Sequence, residues 1–114
     1  MRQKVLLGSV IILAAALASA VEQRGELRSV VGHVLNGQDQ PLQKAVVHLK
    51  NTRTLAIKTY ITEPDGSYRF SALSPNVDYE LYAEYNGEHS DTKTLSAFDN
   101  RKQATITLKI KTAR

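Results

Sequence analysis

The chain has no cysteine and no tryptophan, and its 114 residues include one methionine, two phenylalanines, three prolines and six glycines. Without cysteine there is no disulfide framework, no thiol nucleophile, no thiolate zinc site and no N-terminal cysteine to carry a lipid. Acidic residues are missing from the first twenty positions, where Arg2 and Lys4 are the only charges. Setting those two aside reduces the 15 basic residues to 13 against 11 acidic, so the formal +4 falls to +2. The remaining charges are interspersed, and no basic stripe with neighbouring aromatics runs along the chain, which argues against nucleic acid as a partner. After Val21 no window keeps apolar residues at helical spacing over a helix length.

What is present begins with a leader. Met1–Lys4 carries the two positive charges, Val5–Leu17 is an uninterrupted run of apolar and small residues, and Ala18-Ser19-Ala20 follows. A charged start, an apolar stretch and an A-x-A site are the three parts of a secretory signal peptide, here expected to be helical and cleaved after Ala20. The alternative is a retained membrane anchor, but Val5–Val21 is at the lower limit of length for a span and rich in alanine. Either reading puts the rest of the chain outside the cytoplasm, in a periplasmic or secreted location. The absence of cysteine fits, since an exported domain with a sufficient core needs no disulfide. Residues 21–27 are polar and irregular, a short linker, and residues 28–112 form one domain. A mature chain of this size buries roughly 60–65% of its unfolded surface, enough for one modest core.

From Arg28 the pattern has period two, with turn residues every eight to twelve positions. Val30, Gly32 and Val34 alternate with Val31, His33 and Leu35; Ala45, Val47 and Leu49 alternate with Val46, His48 and Lys50. Tyr68 and Phe70 share a face, as do Tyr79, Leu81 and Ala83, and Ile106, Leu108 and Ile110 close the series. Such alternation, enriched in β-branched and aromatic residues, predicts half-buried antiparallel strands, six or seven of them, in a two-sheet all-β sandwich with Greek-key connections. Asp65-Gly66 and Asn86-Gly87 are dipeptides suited to tight hairpin turns. Pro41 and Pro64 stand before strands rather than inside them. Gly32, on the inward face of its strand, leaves room for a large residue opposite, with Tyr68 and Phe70 the candidates.

The ordered set Val30-x-Gly32-x-Val34, Pro41-Leu42, Ala45-x-Val47-x-Leu49, Thr62-Glu63-Pro64-Asp65-Gly66-Ser67-Tyr68-x-Phe70, Leu73-x-Pro75 and Tyr79-x-Leu81-x-Ala83 resembles the carboxypeptidase regulatory-like domain. That domain belongs to the transthyretin-like, or prealbumin-like, sandwiches and is similar to the B-type repeats of collagen adhesins. The resemblance covers about residues 28–112. It departs from the pattern at Glu63 and Asn76, both turn positions where the substitution keeps the local logic. It implies a seven-stranded sandwich and a non-catalytic role, here in the solitary, exported form.

The candidates for chemistry are few. His33 and His48 fall on outward faces and would form a two-histidine site only if their strands were paired directly. The long connection Asn36–Lys44, and the topology the resemblance implies, instead send them to opposite surfaces; His89 lies beside the Asn86-Gly87 turn. Glu63, Asp65 and Asp78 raise a calcium possibility, against which Asp65 has an ordinary turn role. The Tyr-Arg-Gly-Ser ending of the related hydroxyisourate hydrolases is absent, since the chain ends Lys111-Thr112-Ala113-Arg114. Lys50 and Lys58 point outward by alternation, which leaves no donor for an adhesin-type isopeptide bond. The reading is therefore a chain that is not an enzyme, with no catalytic residue, metal or cofactor, acting as an interaction or structural accessory module at the bacterial envelope. Its partner would be an envelope protein or a glycan, with a membrane contact only if the leader is kept. The alternative is a carbohydrate- or peptide-binding module that uses exposed tyrosines, with Tyr60, Tyr82 and Tyr85 the candidates and the first two expected on an outer sheet face, together with the strand edges.

Overall fold

The computed structural model describes residues 26–113. The expected leader, its cleavage site and most of the expected linker lie outside the described residues. The described residues form nine strands and no helix: β1 (Arg28–Asn36), β2 (Val46–Asn51), β3 (Ile57–Ile61), β4 (Ser67–Leu73), β5 (Tyr79–Tyr85), β6 (Glu88–His89), β7 (Lys93–Leu95), β8 (Gln103–Thr105) and β9 (Leu108–Ile110). They make two sheets. One has the order β4-β1-β8 with β9 also on β1, the other β3-β2-β5-β6 with β7 also on β5.

The nine strands are seven ribbons, two of them interrupted, which is the count the resemblance implies. β6 and β7 lie in succession along β5, and β8 and β9 in succession along β1. Each interruption has a local cause. Between β6 and β7 the Ala83 N–H donates to Ser90 Oγ at 2.8 Å, so a side chain stands in for a ladder carbonyl. Between β8 and β9 the Ile106 carbonyl accepts the Tyr68 hydroxyl at 2.6 Å.

That second contact explains Gly32. A Cβ there would sit 1.8 Å from the Ile106 oxygen and 2.9 Å from Tyr68 Cε2. Only a residue without a side chain lets the Tyr68 ring cross β1 and reach the opposite ribbon. Tyr68 thus fills the space over Gly32, and Phe70 lies beside it with ring centroids 6.0 Å apart. Burial drives the Tyr68 phenol well above its ordinary pKa, so it stays protonated as a donor.

The sandwich is not wholly antiparallel. β8 and β9 run parallel to β1. They follow a crossing from the second sheet, and a crossing can return the chain in the same direction as its neighbour where a hairpin cannot. The turn at Asp65-Gly66 also differs from a simple hairpin. It closes as expected, with the Gly66 N–H donating to Glu63 O at 2.8 Å and the Ser67 N–H to Asp65 Oδ1 at 3.0 Å. However, β3 and β4 on either side belong to different sheets. Buried Thr62 directs the divergence, its hydroxyl accepting from Ala45 N–H at 2.9 Å and donating to Leu42 O at 2.6 Å. Asn86-Gly87 does join paired strands, with φ of 49° and 79°.

The core lies between the sheets. Val30, Val34, Val47, Leu81, Ala83, Leu108 and Ile110 are completely buried, with Leu49, Leu73 and Leu95 nearly so. Each such Val, Leu or Ile contributes about 1.5–3 kcal/mol by leaving water. Arg28 is the unexpected member, 5% exposed at the start of β1. Its guanidinium donates to the carbonyls of Ser74, Val77, Ser96 and Asp99 at 2.6–3.1 Å, tying two loops to the first strand. Asn36, at the other end of β1, is 2% exposed, and its Oδ1 accepts from the Gln38 and Gln40 N–H groups. No buried side-chain polar atom among the described residues lacks a partner.

Candidate interaction surface

The chemistry-bearing side chains gather on the outer face of the second sheet, and register decides which of them meet. In β2, Val47 and Leu49 point into the core, so Val46, His48 and Lys50 face outward. In β5, Tyr79, Leu81 and Ala83 point inward, which sends Glu80, Tyr82 and Glu84 outward. The ladders align these residues in rows: Ile61, Val46, Glu84 and His89; Thr59, His48 and Tyr82; Ile57, Lys50, Glu80 and Thr94.

At the centre the His48 ring stacks on Tyr82, centroids 4.6 Å apart and planes 12° from parallel. His48 Nε2 lies 2.7 Å from Glu84 Oε1, and His89 tilts toward Tyr82 at 6.0 Å. Directly opposed aromatic residues on one sheet face support each other in this way. The cluster offers an imidazole, a phenol and a carboxylate on an outer sheet face, and Glu84 with Val46 also lines an open, shallow depression bounded by Lys44 and the Asn86-Gly87 turn. No group of three His, Asp or Glu side chains among the described residues is placed to hold a metal ion.

The other sequence candidates lie elsewhere: Tyr60, Glu63, Asp65 and His33 come near one another around the turn before β4, and Asp78 stands apart from them. His33 is exposed on the first sheet and His48 stands on the second, so the connection does cross the sandwich. Asp65 and Asp78 accept N–H groups from Ser67 and Ala97, and Glu63 accepts the Tyr60 hydroxyl. The bonds to Ser67 hold the Asp65 carboxyl below its usual pKa.

Tyr60 does not share a face with Tyr82. It pairs with the fully buried Val47, is half-buried and packs against the core, meeting Phe70 edge-on at 6.1 Å. Its hydroxyl donates to Glu63 at 3.0 Å, an arrangement that raises the phenol's pKa. The whole phase of β3 is thereby reversed from expectation. Ile57 and Ile61 stand outward, 61% and 64% exposed. Lys58 pairs with buried Leu49 on the core-facing side, although its own side chain reaches solvent at the rim. The cause is the position of β3 at the sheet edge. A tyrosine can close the open flank of the core while its hydroxyl stays wet, which an isoleucine cannot do. Tyr85 also packs against the core, at the end of β5, and leaves Tyr82 as the one outward member of the three.

Comparison with known proteins agrees with this architecture. A family model for the carboxypeptidase regulatory-like domain matches residues 29–110. No curated protein matches the chain. Among solved structures, the chain is similar to the dioxygenase domain of a dioxygenase carbohydrate-binding protein fusion from Streptomyces sp. SirexAA-E, with a TM-score of 0.56 at 15% identity over 80% of this chain and 84% of that one. It is also similar to BcpA, the major pilin subunit of Bacillus cereus, with a TM-score of 0.58 at 12% identity over 77% of this chain and 31% of the pilin. Catechol 1,2-dioxygenase from Pseudomonas arvilla C-1 gives 0.53 at 12% identity, over 78% of this chain and 54% of the enzyme. At such identities the likeness is one of fold alone.

Proposed function

This chain belongs to the carboxypeptidase regulatory-like domain family, and on that premise we propose that it is an exported, non-catalytic sandwich acting as an interaction or structural accessory module at the bacterial cell envelope. The observation that carries the reading is the use made of its polar groups. Arg28, Asn36, Thr62 and Tyr68 fasten loops and strands to one another, and the His48, Tyr82 and Glu84 side chains on the outer face are engaged with one another, the imidazole stacked on the phenol and bonded to the carboxylate. Acyl transfer or hydrolysis would need a nucleophile, a base and an orienting group around a water-excluding pocket. The fold's occurrence in a major pilin subunit is compatible with a structural task.

Export rests on the leader of Arg2, Lys4, Val5–Leu17 and Ala18-Ser19-Ala20. Expression of the full chain in a bacterial host, followed by fractionation and intact-mass measurement, tests it. The expected product begins at Val21 and leaves the cytoplasm; a full-length cytoplasmic product overturns the localisation. In vivo crosslinking of the same strain should then capture an envelope protein.

A second reading, carbohydrate or peptide binding, is favoured by the His48–Tyr82 stack with Glu84 and His89 around it. Under that reading Tyr82→Ala abolishes retention on a glycan or peptide array while Tyr60→Ala, on the other side of the sheet, leaves specificity unchanged. Equal loss in both variants would count against a binding face on Tyr82.

A further inference from the structure

We propose that β3 is a self-association edge, through which two copies of the chain pair antiparallel about a two-fold axis at Thr59 and join their second sheets into one. The two sheets present four edges, formed by β4, β8/β9, β3 and β6/β7. The β6/β7 edge is broken into pieces of two and three residues and carries Glu88 and Lys93. The β8/β9 edge is split at Ile106-Thr107. The β4 edge has a register shift against β1 and a positive φ at Ala72. Interruption, charge and bulging are the usual ways a sheet blocks unwanted pairing. Only β3, among the described residues, is a continuous edge, and it presents Ile57 and Ile61 to solvent.

The backbone of β3 is oriented for such pairing. Ala56 O accepts from Asn51 N–H, and Thr62 N–H donates to Ala45 O, so the even-numbered positions turn toward β2. By the alternation of an antiparallel ladder, the N–H and C=O groups of Ile57, Thr59 and Ile61 face the free edge. A two-fold axis at Thr59 makes Thr59 a hydrogen-bonded pair with its own copy and sets Ile57 opposite Ile61 of the second copy, giving six backbone bonds.

The side chains complement one another in that register. Ile57 and Ile61 meet on the outer face as apolar cross-strand pairs. Lys58 is the one charge on the strand, and an inward-leaning lysine on an edge strand usually blocks pairing. Here it falls opposite not another lysine but Tyr60 of the second copy, whose hydroxyl already rests on Glu63. The cation therefore meets a ring face and a carboxylate. A self-complementary patch of this kind closes as a dimer and cannot propagate. Five residues a side bury much less than the roughly 1,600 Å² of a standard interface, so the dimer is concentration-dependent. The inference is independent of whether the chain is exported.

Because the chain has no cysteine, a single introduced one reports on geometry. The Cα atoms of a hydrogen-bonded antiparallel pair are about 5.5 Å apart, within the range a disulfide spans. Under mild oxidation, full-length Thr59→Cys should give roughly tenfold more crosslinked dimer than Thr94→Cys on the opposite edge of the same sheet. Sedimentation velocity should show monomer and dimer in a concentration-dependent ratio. The double variant Ile57→Lys/Ile61→Lys places like charges opposite each other and should weaken association on the order of tenfold. Ile57→Glu/Ile61→Lys places opposite charges together in this register alone, and should restore a dimer that dissociates with salt. Circular dichroism verifies that each variant keeps its strands, since both isoleucines point to solvent. A wild-type chain that stays monomeric near millimolar concentration, equal crosslinking at positions 59 and 94, or equal weakening by both double variants would each overturn the proposal.

Discussion

Two side chains and one missing side chain hold β1 in place. Arg28 donates to four carbonyls from two loops, and Tyr68 reaches Ile106 O across Gly32. Arg28→Met removes every one of those donors and leaves the buried Val77 carbonyl and three part-buried ones without that partner, a loss of about 3 kcal/mol. Arg28→Lys should recover only part of this, since one ammonium cannot span four acceptors that a planar fork reaches together. Gly32→Ala forces a methyl group into a backbone oxygen and should cost about 3 kcal/mol or more. By contrast, Gly87→Ala meets no atom within 4 Å and is opposed only by its φ of +79°, a cost of about 1–2 kcal/mol. Urea denaturation of the four variants checks the order; a Gly32→Ala midpoint equal to that of Gly87→Ala would contradict the steric account. The small residue at 32 was legible from its place on an inward face. The role of Arg28 was not, because a lone arginine at a strand start looks the same in sequence whether it meets water or four carbonyls.

The strands separate into those whose phase is plain from their residues and one whose phase is not. The buried sides of β1, β2, β4 and β5 are the expected ones, built of small, aliphatic and aromatic residues, although Val31, Leu35, Val46 and Tyr82 stand on the other side among polar neighbours. β3 reads Ile-Lys-Thr-Tyr-Ile, apolar in both phases, so alternation alone cannot orient it. The edge position settles the matter by rewarding a ring that is apolar at its base and polar at its tip. Tyr60→Ala should therefore destabilise the monomer by about 1–3 kcal/mol through lost packing on Phe70. Ile57→Ser should change monomer stability by no more than about 0.5 kcal/mol, as for other exposed positions. Thermal melts at low protein concentration, where association does not contribute, distinguish them. A larger loss at Ile57 than at Tyr60 would restore the opposite phase.

For the molecule as a whole, the loops that close the sandwich bring in a dependence on pH. Arg101 donates to the Asp99 carboxylate through both its side chain and its backbone N–H, and lowers the Asp99 pKa to about 2 from 3.8. Asp65 is lowered in the same direction by Ser67. A carboxyl depressed in the folded state contributes stability that is fully present above its unfolded value and is lost as pH falls through the folded one. Stability should accordingly decline between pH 4 and pH 2, and Asp99→Asn should make that decline shallower while leaving the midpoint near pH 7 lower than wild type. Urea midpoints measured across that interval provide the check, and an unchanged slope in the variant would remove Asp99 as a contributor.

The residues by themselves determined an all-β sandwich, its turns and most of its core, because period-two burial and turn chemistry act between neighbours in the chain; the separation of His33 from His48 came from the topology that the family resemblance implies. The parallel return of β8 and β9, the reversed face of β3, the stack of His48 on Tyr82 and the four acceptors of Arg28 were decided by tertiary structure alone. Each depends on which distant segment lies alongside, and local propensity is indifferent to that choice. Register and sheet order settle it by matching hydrogen-bonding groups and apolar area across the whole domain.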